Sequence, residues 1–288
     1  MRHIELRTRG LVESLFSGEY HSVFKGRGLE FSDVREYQPG DDVRAIDWNV
    51  TARRGRLFVK EHVEERQLNV LLIVDLSASK QFGSGPKRNG RVAVEIAGIL
   101  ALAATNNNDR VGLLLVTDHV ELFLPPDTGR RHALRLVLDL LSYHPSGRGT
   151  KLSTALEYAA KVLRQRTVVF LVSDFLIDSS GDSSFEPSLS RLASAHDVVP
   201  IRLTDPASST LPDIGMFAVL DPESGERHVM NTGNARVRHE YSARFAHQRD
   251  WVTSTLNRLR LDIVEITTPN DYVPPLISFF RRRARGRR

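Results

Sequence analysis

The sequence predicts an α/β fold, a doubly wound and mostly parallel sheet with one antiparallel edge strand, an N-terminal extension and a β-hairpin insertion. Three observations predict it. The strand-length runs Asn69–Asp75 and Thr167–Ser173 are apolar without alternation, as in strands buried on both faces. They alternate with segments of helical spacing, such as Arg91–Thr105, where Val92, Ile96, Ile99, Leu100 and Ala103 share a face. The turn at Thr117–Asp118 joins Arg110–Thr117 to His119–Leu124 with too few residues for a crossover, so that pair is antiparallel.

Taken in order, residues 1–66 form an extension poor in apolar residues, expected to pack on the main domain. Within it Gln38-Pro39-Gly40-Asp41-Asp42 is a turn, because Pro presets φ and Gly tolerates a left-handed conformation. Val43, Ile46 and Trp48 are too sparse to predict a helix, and Leu57–Glu61 reads as a short edge strand guarded by its charges. Residues 67–280 form the main domain. Pro125-Pro126 is expected to stop the strand before it, and Thr128–Tyr143 to be a helix with Leu134, Val137, Leu138 and Leu141 apolar. Ser146–Thr150 is a glycine-rich loop, and Lys151–Arg166 a helix with Leu152, Leu156, Ala159, Ala160 and Leu163 on one stripe. After Asp174 come a helix at Pro187–His196, a strand at Asp197–Leu203, a hairpin inserted in residues 206–234, a helix at Tyr241–Arg260 and a last strand at Leu261–Thr267. Pro274–Phe280 docks the C-terminus, and residues 281–288 are a basic tail.

At 288 residues, with 41% hydrophobic and 26% charged content, the chain can bury a sizeable core. It has no apolar run of about 18 residues, and Met1–Gly10 lacks the apolar core of a signal peptide, so a cytoplasmic location is expected. The absence of cysteine excludes disulfides, iron–sulfur ligation, cysteine nucleophiles and thiolate zinc sites. The net charge of +5 is a local matter. Arg281–Arg288, RRRARGRR, holds six arginines, so the first 280 residues sum to +5 − 6 = −1. Such an end is expected to be solvated; no aromatics are interleaved with it to stack on bases.

The chemistry gathers where apolar strands end on carboxylates. Val70–Ser79 reads VLLIVDLSAS, and the spacing of Asp75, Ser77 and Ser79 lets a tight loop turn one carboxylate and two hydroxyls toward a single point. Taken alone, such a string also suits a helix N-cap. Thr150, in a loop just before a helix, and Asp174, directly after a buried strand, fall at the same sheet edge, and ligands of doubly wound sheets sit outside the carboxyl ends of the strands. Two carboxylates and three hydroxyls suit a hard cation such as Mg²⁺ or Mn²⁺, with at least one coordination position left for water or a partner's carboxylate.

Other motifs fit poorly. An aspartyl-phosphate phosphatase needs a second Asp where Ser77 stands; Gly83–Lys87 lacks the Walker spacing; no G-x-S-x-G elbow follows a strand; the ten histidines make no H-E-x-x-H. His119, His132 and His144 fall near turns or helix ends, where capping or surface roles are expected.

The D-x-S-x-S string resembles the first segment of the metal-ion-dependent adhesion site of von Willebrand factor A domains. More specifically, Phe31–Asp47, the continuation Trp48–Glu65, and Asp75–Ser79 with Phe82-Gly83-Ser84 resemble the domain-of-unknown-function 58 family, most of all through the string YQPGDDVRAIDW at Tyr37–Trp48. That resemblance implies a von Willebrand factor A-like, Rossmann-type fold, metal ligands at Asp75, Ser77, Ser79, Thr150 and Asp174, and work beside a MoxR-type AAA+ ATPase. Lys80 stands where the family usually has Met, and no N-terminal membrane helices of the kind many members carry are seen. The implied function is a non-enzymatic, metal-dependent protein-binding module acting on a client that offers a carboxylate. A Mg²⁺-dependent phosphohydrolase and a metal-independent scaffold with an arginine tail for nucleic acid or acidic partners are the alternatives. Asp41, Asp42 and Arg44 are expected to form a structural charge network.

Overall fold

The computed structural model describes residues 34–60, 67–77, 89–177, 181–220, 226–268 and 270–286. The main sheet has six strands: β3 (Asn69–Asp75), β4 (Arg110–Val116), β5 (Val120–Asp127), β6 (Thr167–Ser173), β7 (Asp197–Thr204) and β10 (Val264–Thr267), in the order β10-β7-β6-β3-β4-β5. All pairs are parallel except β4–β5, so the expected doubly wound α/β sheet with one antiparallel edge strand is what forms. Strand β3 lies inside, flanked by β6 and β4.

The period of two along each strand sorts the core into two layers. Val70, Leu72 and Val74 of β3, with Leu113, Phe170 and Ile201 of β4, β6 and β7, face α2 (Asn89–Asn106), α3 (Arg130–Ser142) and α7 (Val273–Gly286). Leu71 and Ile73, with Leu114, Val169 and Val198, face α4 (Leu152–Val162), α5 (Phe185–Ala195) and α6 (Ala235–Arg258). Burial on both faces explains why these strands lack a polar alternation.

Several elements differ from expectation. Strand β5 runs through Pro125 and Pro126 to Asp127, because it is the sheet edge and its register shifts between Val111 and Leu113, where missing amide donors cost little. Helix α3 buries Ala133, Leu136 and Leu140, while Leu134, Leu138 and Leu141 of the expected stripe face solvent. The helix carries two apolar stripes, and the sheet selects the other one. Helix α6 begins well before Tyr241, at Ala235, capped by the Asn234 side chain, and β10 covers just the last four residues of its expected run.

The arginine-rich end is helical through Gly286, and Arg281, Arg282 and Arg285 on it are exposed, as the expected solvated end requires. Leu276, Phe279 and Phe280 anchor α7 in the core, and Arg283 pairs with Asp197 and Asp262 while stacking over Phe279.

Upstream, β1 (Val34–Glu36) pairs antiparallel with β2 (Phe58–Lys60) in a separate two-stranded sheet. Between them lies α1 (Trp48–Arg54), a helix that the sparse apolar pattern concealed; Asp47 caps it and Gly55 closes it at φ 68°. In the Pro39-Gly40 turn, Gly40 takes φ 112° and the Asp41 amide donates to the Gln38 carbonyl at 3.0 Å. The charge network differs from the expected one. Arg35 grips Asp41 through both guanidinium nitrogens, at 2.6 and 2.7 Å, and that contact holds the carboxyl at about 2. Asp42 instead caps the Arg44 amide. The hairpin strands β8 (Met216–Leu220) and β9 (Arg227–Asn231) pair as expected.

Candidate metal centre

The apolar run of β3 ends on Asp75, which is fully buried although it is a carboxylate. Burying a charge is costly unless hydrogen bonds compensate, and hydrogen bonds from the described residues Ser173 and Ser77 do so. Asp75 Oδ2 accepts from the Ser173 hydroxyl of β6 at 2.6 Å, and Oδ1 accepts from the Ser77 amide at 2.9 Å. Parallel register places them together: Val74 lies beside Val172, so the next residues of each strand, Asp75 and Ser173, meet at the edge.

The chain leaves β6 by a sharp turn. Ser173 Oγ accepts from the Phe175 amide at 3.0 Å, and Asp174 Oδ1 accepts from the Leu176 amide at 3.1 Å. Phe175 adopts φ 54°, a left-handed conformation costing of order 1–3 kcal/mol for a side chain of this kind, and its ring is buried against Phe185 at 6.3 Å. That packing holds the turn, and the turn keeps Asp174 at the carboxyl edge, 8% exposed.

Thr150 arrives from β3's other neighbour. The Lys151 amide donates to the Thr117 carbonyl just past β4, and Gly147 sits so tightly on that turn that an added Cβ would collide with Asp118 Oδ1 and Thr117 Oγ1. Glu121 of β5 is the anchor. Its carboxylate accepts from the amides of Gly147 (2.7 Å) and Ser146 (3.0 Å) and from the hydroxyls of Ser146 (2.9 Å), Thr117 (2.8 Å) and Tyr143 (3.1 Å). Burial pushes the Glu121 carboxyl up, but the donors outweigh it and hold the group down at about 2.

Asp75 and Ser77 therefore share one end with Asp174, one strand away, and the loop bearing Thr150 closes on the opposite flank of β3. Ser79 lies outside the described residues, as does Lys80. The residues suit a divalent cation of the magnesium class, because every side-chain donor is a hard oxygen. Among the described residues no group of three or more His, Asp or Glu is placed to hold a metal ion, at this edge or elsewhere.

Three features give no local signal in the sequence. Ser173 reads there as the end of a strand, yet it orients Asp75. Glu121 is hidden because its amide partners lie 25 and 26 residues downstream. The third is a Ser–His–Asp arrangement with no sequence elbow: His119 Nδ1 is 2.9 Å from Asp118 Oδ1, and Nε2 is 3.1 Å from Ser146 Oγ. Acyl transfer needs free amide donors for an oxyanion, and the Ser146 and Gly147 amides are spent on Glu121, as is the Ser146 hydroxyl. His119 thus acts as a local brace, in line with its expected turn position. His132, at the start of α3, meets the Val111 carbonyl with Nε2 at 2.7 Å.

Comparison with known proteins adds the family. Residues 33–251 match the family described as "Protein of unknown function DUF58". The uncharacterized protein Rv1480 of Mycobacterium tuberculosis (strain ATCC 25618 / H37Rv) is 28% identical over 288 residues, spanning 99% of this chain and 89% of that protein. Among solved structures, the conserved hypothetical protein BatB from Bacteroides thetaiotaomicron aligns over 76% of this chain and 99% of its own, with 15% identity and a TM-score of 0.49. A von Willebrand factor type A protein from Catenulispora acidiphila aligns over 76% of this chain and 42% of its own, with 11% identity and a TM-score of 0.44. No helix of the described residues is long and apolar enough to cross a membrane.

Proposed function

We propose that this chain, which belongs to the DUF58 family, is a non-enzymatic protein-binding module that works at the carboxyl edge of β6, β3 and β4. Asp75, Ser77, Ser79, Thr150 and Asp174 would hold a divalent cation there, Mg²⁺ or Mn²⁺. The observation that carries this reading is the fully buried Asp75 carboxylate, fixed by Ser173 from the next strand, which is itself followed directly by a second buried carboxylate, Asp174. A fold seldom retains such a pair for stability alone, since apolar residues of similar size do better.

When bound, the cation supplies an open coordination position able to take an Asp or Glu of a partner protein. The chain's own residues provide the rest. Ser173 and the Ser77 amide aim Asp75; the Phe175 turn aims Asp174; Glu121 fixes the Thr150 loop. Asp75 is fully buried, and a carboxylate contact made beside it would be strengthened by the low dielectric. In this reading the partners are a MoxR-type AAA+ ATPase, taken from the family resemblance, and a client protein that offers the carboxylate. The engagement of the Ser146 and Gly147 amides by Glu121 favours binding over hydrolysis.

Calorimetric titration of Mg²⁺ and Mn²⁺ into the wild type and into Asp75→Asn and Asp174→Ala variants tests the reading, with circular dichroism to establish folding. Saturable binding by the wild type, lost in both folded variants, is expected. Equal binding by wild type and a folded Asp174→Ala chain would overturn the cation site.

A further inference from the structure

A pocket opens beside the end of β6, between the carboxyl ends of β6 and β7 and one wall of α6, lined among others by Asp174, Phe175, Arg202, Asp205, Phe245 and Arg249. Its chemistry centres on Arg202. This side chain points to the α6 side of β7 and is 2% exposed, an unusual place for a guanidinium. Its Nη1 donates to Thr253 Oγ1 at 3.0 Å and to Glu265 Oε1 at 3.1 Å. Its Nη2 is buried and has no acceptor among the described residues. Glu265 is half exposed, so its charge is spread into solvent and balances the buried cation incompletely.

Arg249 makes the imbalance larger. It lies one helical turn before Thr253 on α6, is exposed, and forms no ion pair among the described residues. Burial pushes the Arg202 pKa below its ordinary value; the carboxylates of Glu265 and Asp250 oppose that, and the positive charge of Arg249 adds to it. The two acidic residues of the pocket are otherwise engaged. Asp205 caps the Ala207 amide at 2.9 Å, and Asp174 holds the Leu176 amide. Two guanidinium groups line one pocket, and its acidic residues, Asp174 and Asp205, leave the buried Arg202 Nη2 without an acceptor, so this donor remains open to an oxyanion.

We propose that this pocket is an oxyanion-binding site, in which Arg202 Nη2 and Arg249 hold a single carboxylate or phosphate group. The site goes beyond the cation-dependent reading and does not require it, because neither arginine is a candidate metal ligand; Asp174 merely borders both. Nη2 is shielded from solvent, so an entering group must part the wall. Arg249, exposed and outside any ion pair among the described residues, lines the pocket on the side where such a group would enter.

The test is a titration of inorganic phosphate, and separately of N-acetylglutamate amide, into the full chain in EDTA at low ionic strength, followed by amide chemical shifts. Saturable shifts at Thr204, Asp205 and Arg249 at millimolar concentration are expected, with at least a fivefold weakening in Arg249→Gln. Arg202→Met, which keeps the stem, should abolish the response. If Arg202→Met fails to fold, Arg249→Gln decides alone. Saturation by phosphate alone assigns a phosphoryl ligand, by the glutamate derivative alone a peptide carboxylate, and by both the shared chemistry. No saturable shift in the wild type, or equal affinity in Arg249→Gln, overturns the site. Because EDTA removes divalent cations, a failure here is independent of any failure at Asp75.

Discussion

Replacing Glu121 by glutamine should release the loop that carries Thr150, and the cost can be worked from the contacts. The carboxylate collects donors from Gly147, Ser146, Thr117 and Tyr143, and its side chain is 2% exposed. The fall from 4.5 to about 2 is worth about 3 kcal/mol at about 1.4 kcal/mol per pKa unit. Ser146 and its neighbour Asp118 stand in solvent, and screening reduces this to about 2 kcal/mol. The folded-state value lies below the unfolded one. The contribution is therefore complete at neutral pH and fades as the pH falls through 4.5 toward 2. Urea unfolding of wild type and Glu121→Gln should differ by about 2 kcal/mol at pH 7, and by about 1 kcal/mol less at pH 3.5. The same variant should bind Mg²⁺ about tenfold more weakly with Asp75 intact, as expected for a group that orients a ligand loop. A stability difference that stays constant between the two pH values would refute the assignment of Glu121 as the ionised anchor.

Two further substitutions probe the frame around the site. An added Cβ at Gly112 would stand 2.9 Å from the Leu124 carbonyl oxygen and the Pro126 nitrogen, both backbone, so Gly112→Ala should cost about 1–3 kcal/mol, and an unchanged denaturation midpoint would show that the proline-ended strand is not wedged there. Arg283→Met removes the guanidinium that pairs with Asp197, whose side chain is 13% exposed, and that stacks over Phe279. A loss of about 1–2 kcal/mol is expected, and a double-mutant cycle with Asp197→Asn should give a coupling well above about 0.3 kcal/mol; a smaller coupling would mean that the pair is idle.

The residues legible in the sequence are those whose signal is local. Asp75 and Asp174 stand out because each ends an apolar run too uniform to be anything but a doubly buried strand, and strand ends are where such sheets bind. The α3 stripe departs from expectation for a reason equally local. Leu134, Leu138 and Leu141 keep helical spacing as well as Ala133, Leu136 and Leu140 do, and what decides between them is the neighbouring sheet. The continuation of β5 through Pro125 and Pro126 depends on its being an edge, which sheet order alone defines. Ser173 and Glu121 are hidden because their partners are distant in sequence, 98 residues away for the Ser173–Asp75 bond. The short α1 helix does carry signals, Asp47 before it and Gly55 after it, but its few apolar residues drown them.

The sheet order also explains why a single edge gathers this chemistry. An interior strand has two neighbours, so a carboxylate at the end of β3 can be tied to one, through Ser173 on β6, while the other, β4, receives the loop that β5 secures through Glu121. A strand at the border would have one such support and an open flank. The antiparallel β4–β5 pair matters for the same reason: its short turn keeps Thr117, Asp118 and Glu121 within reach of the SGRGT loop, which a long crossover connection would not. What the fold buries at this edge is charge and hydroxyl where apolar side chains would add stability, with Asp75 oriented from the neighbouring strand by Ser173 and Asp174 by its own turn. Orientation of that kind, kept against the interest of the core, is what the proposed binding site would require.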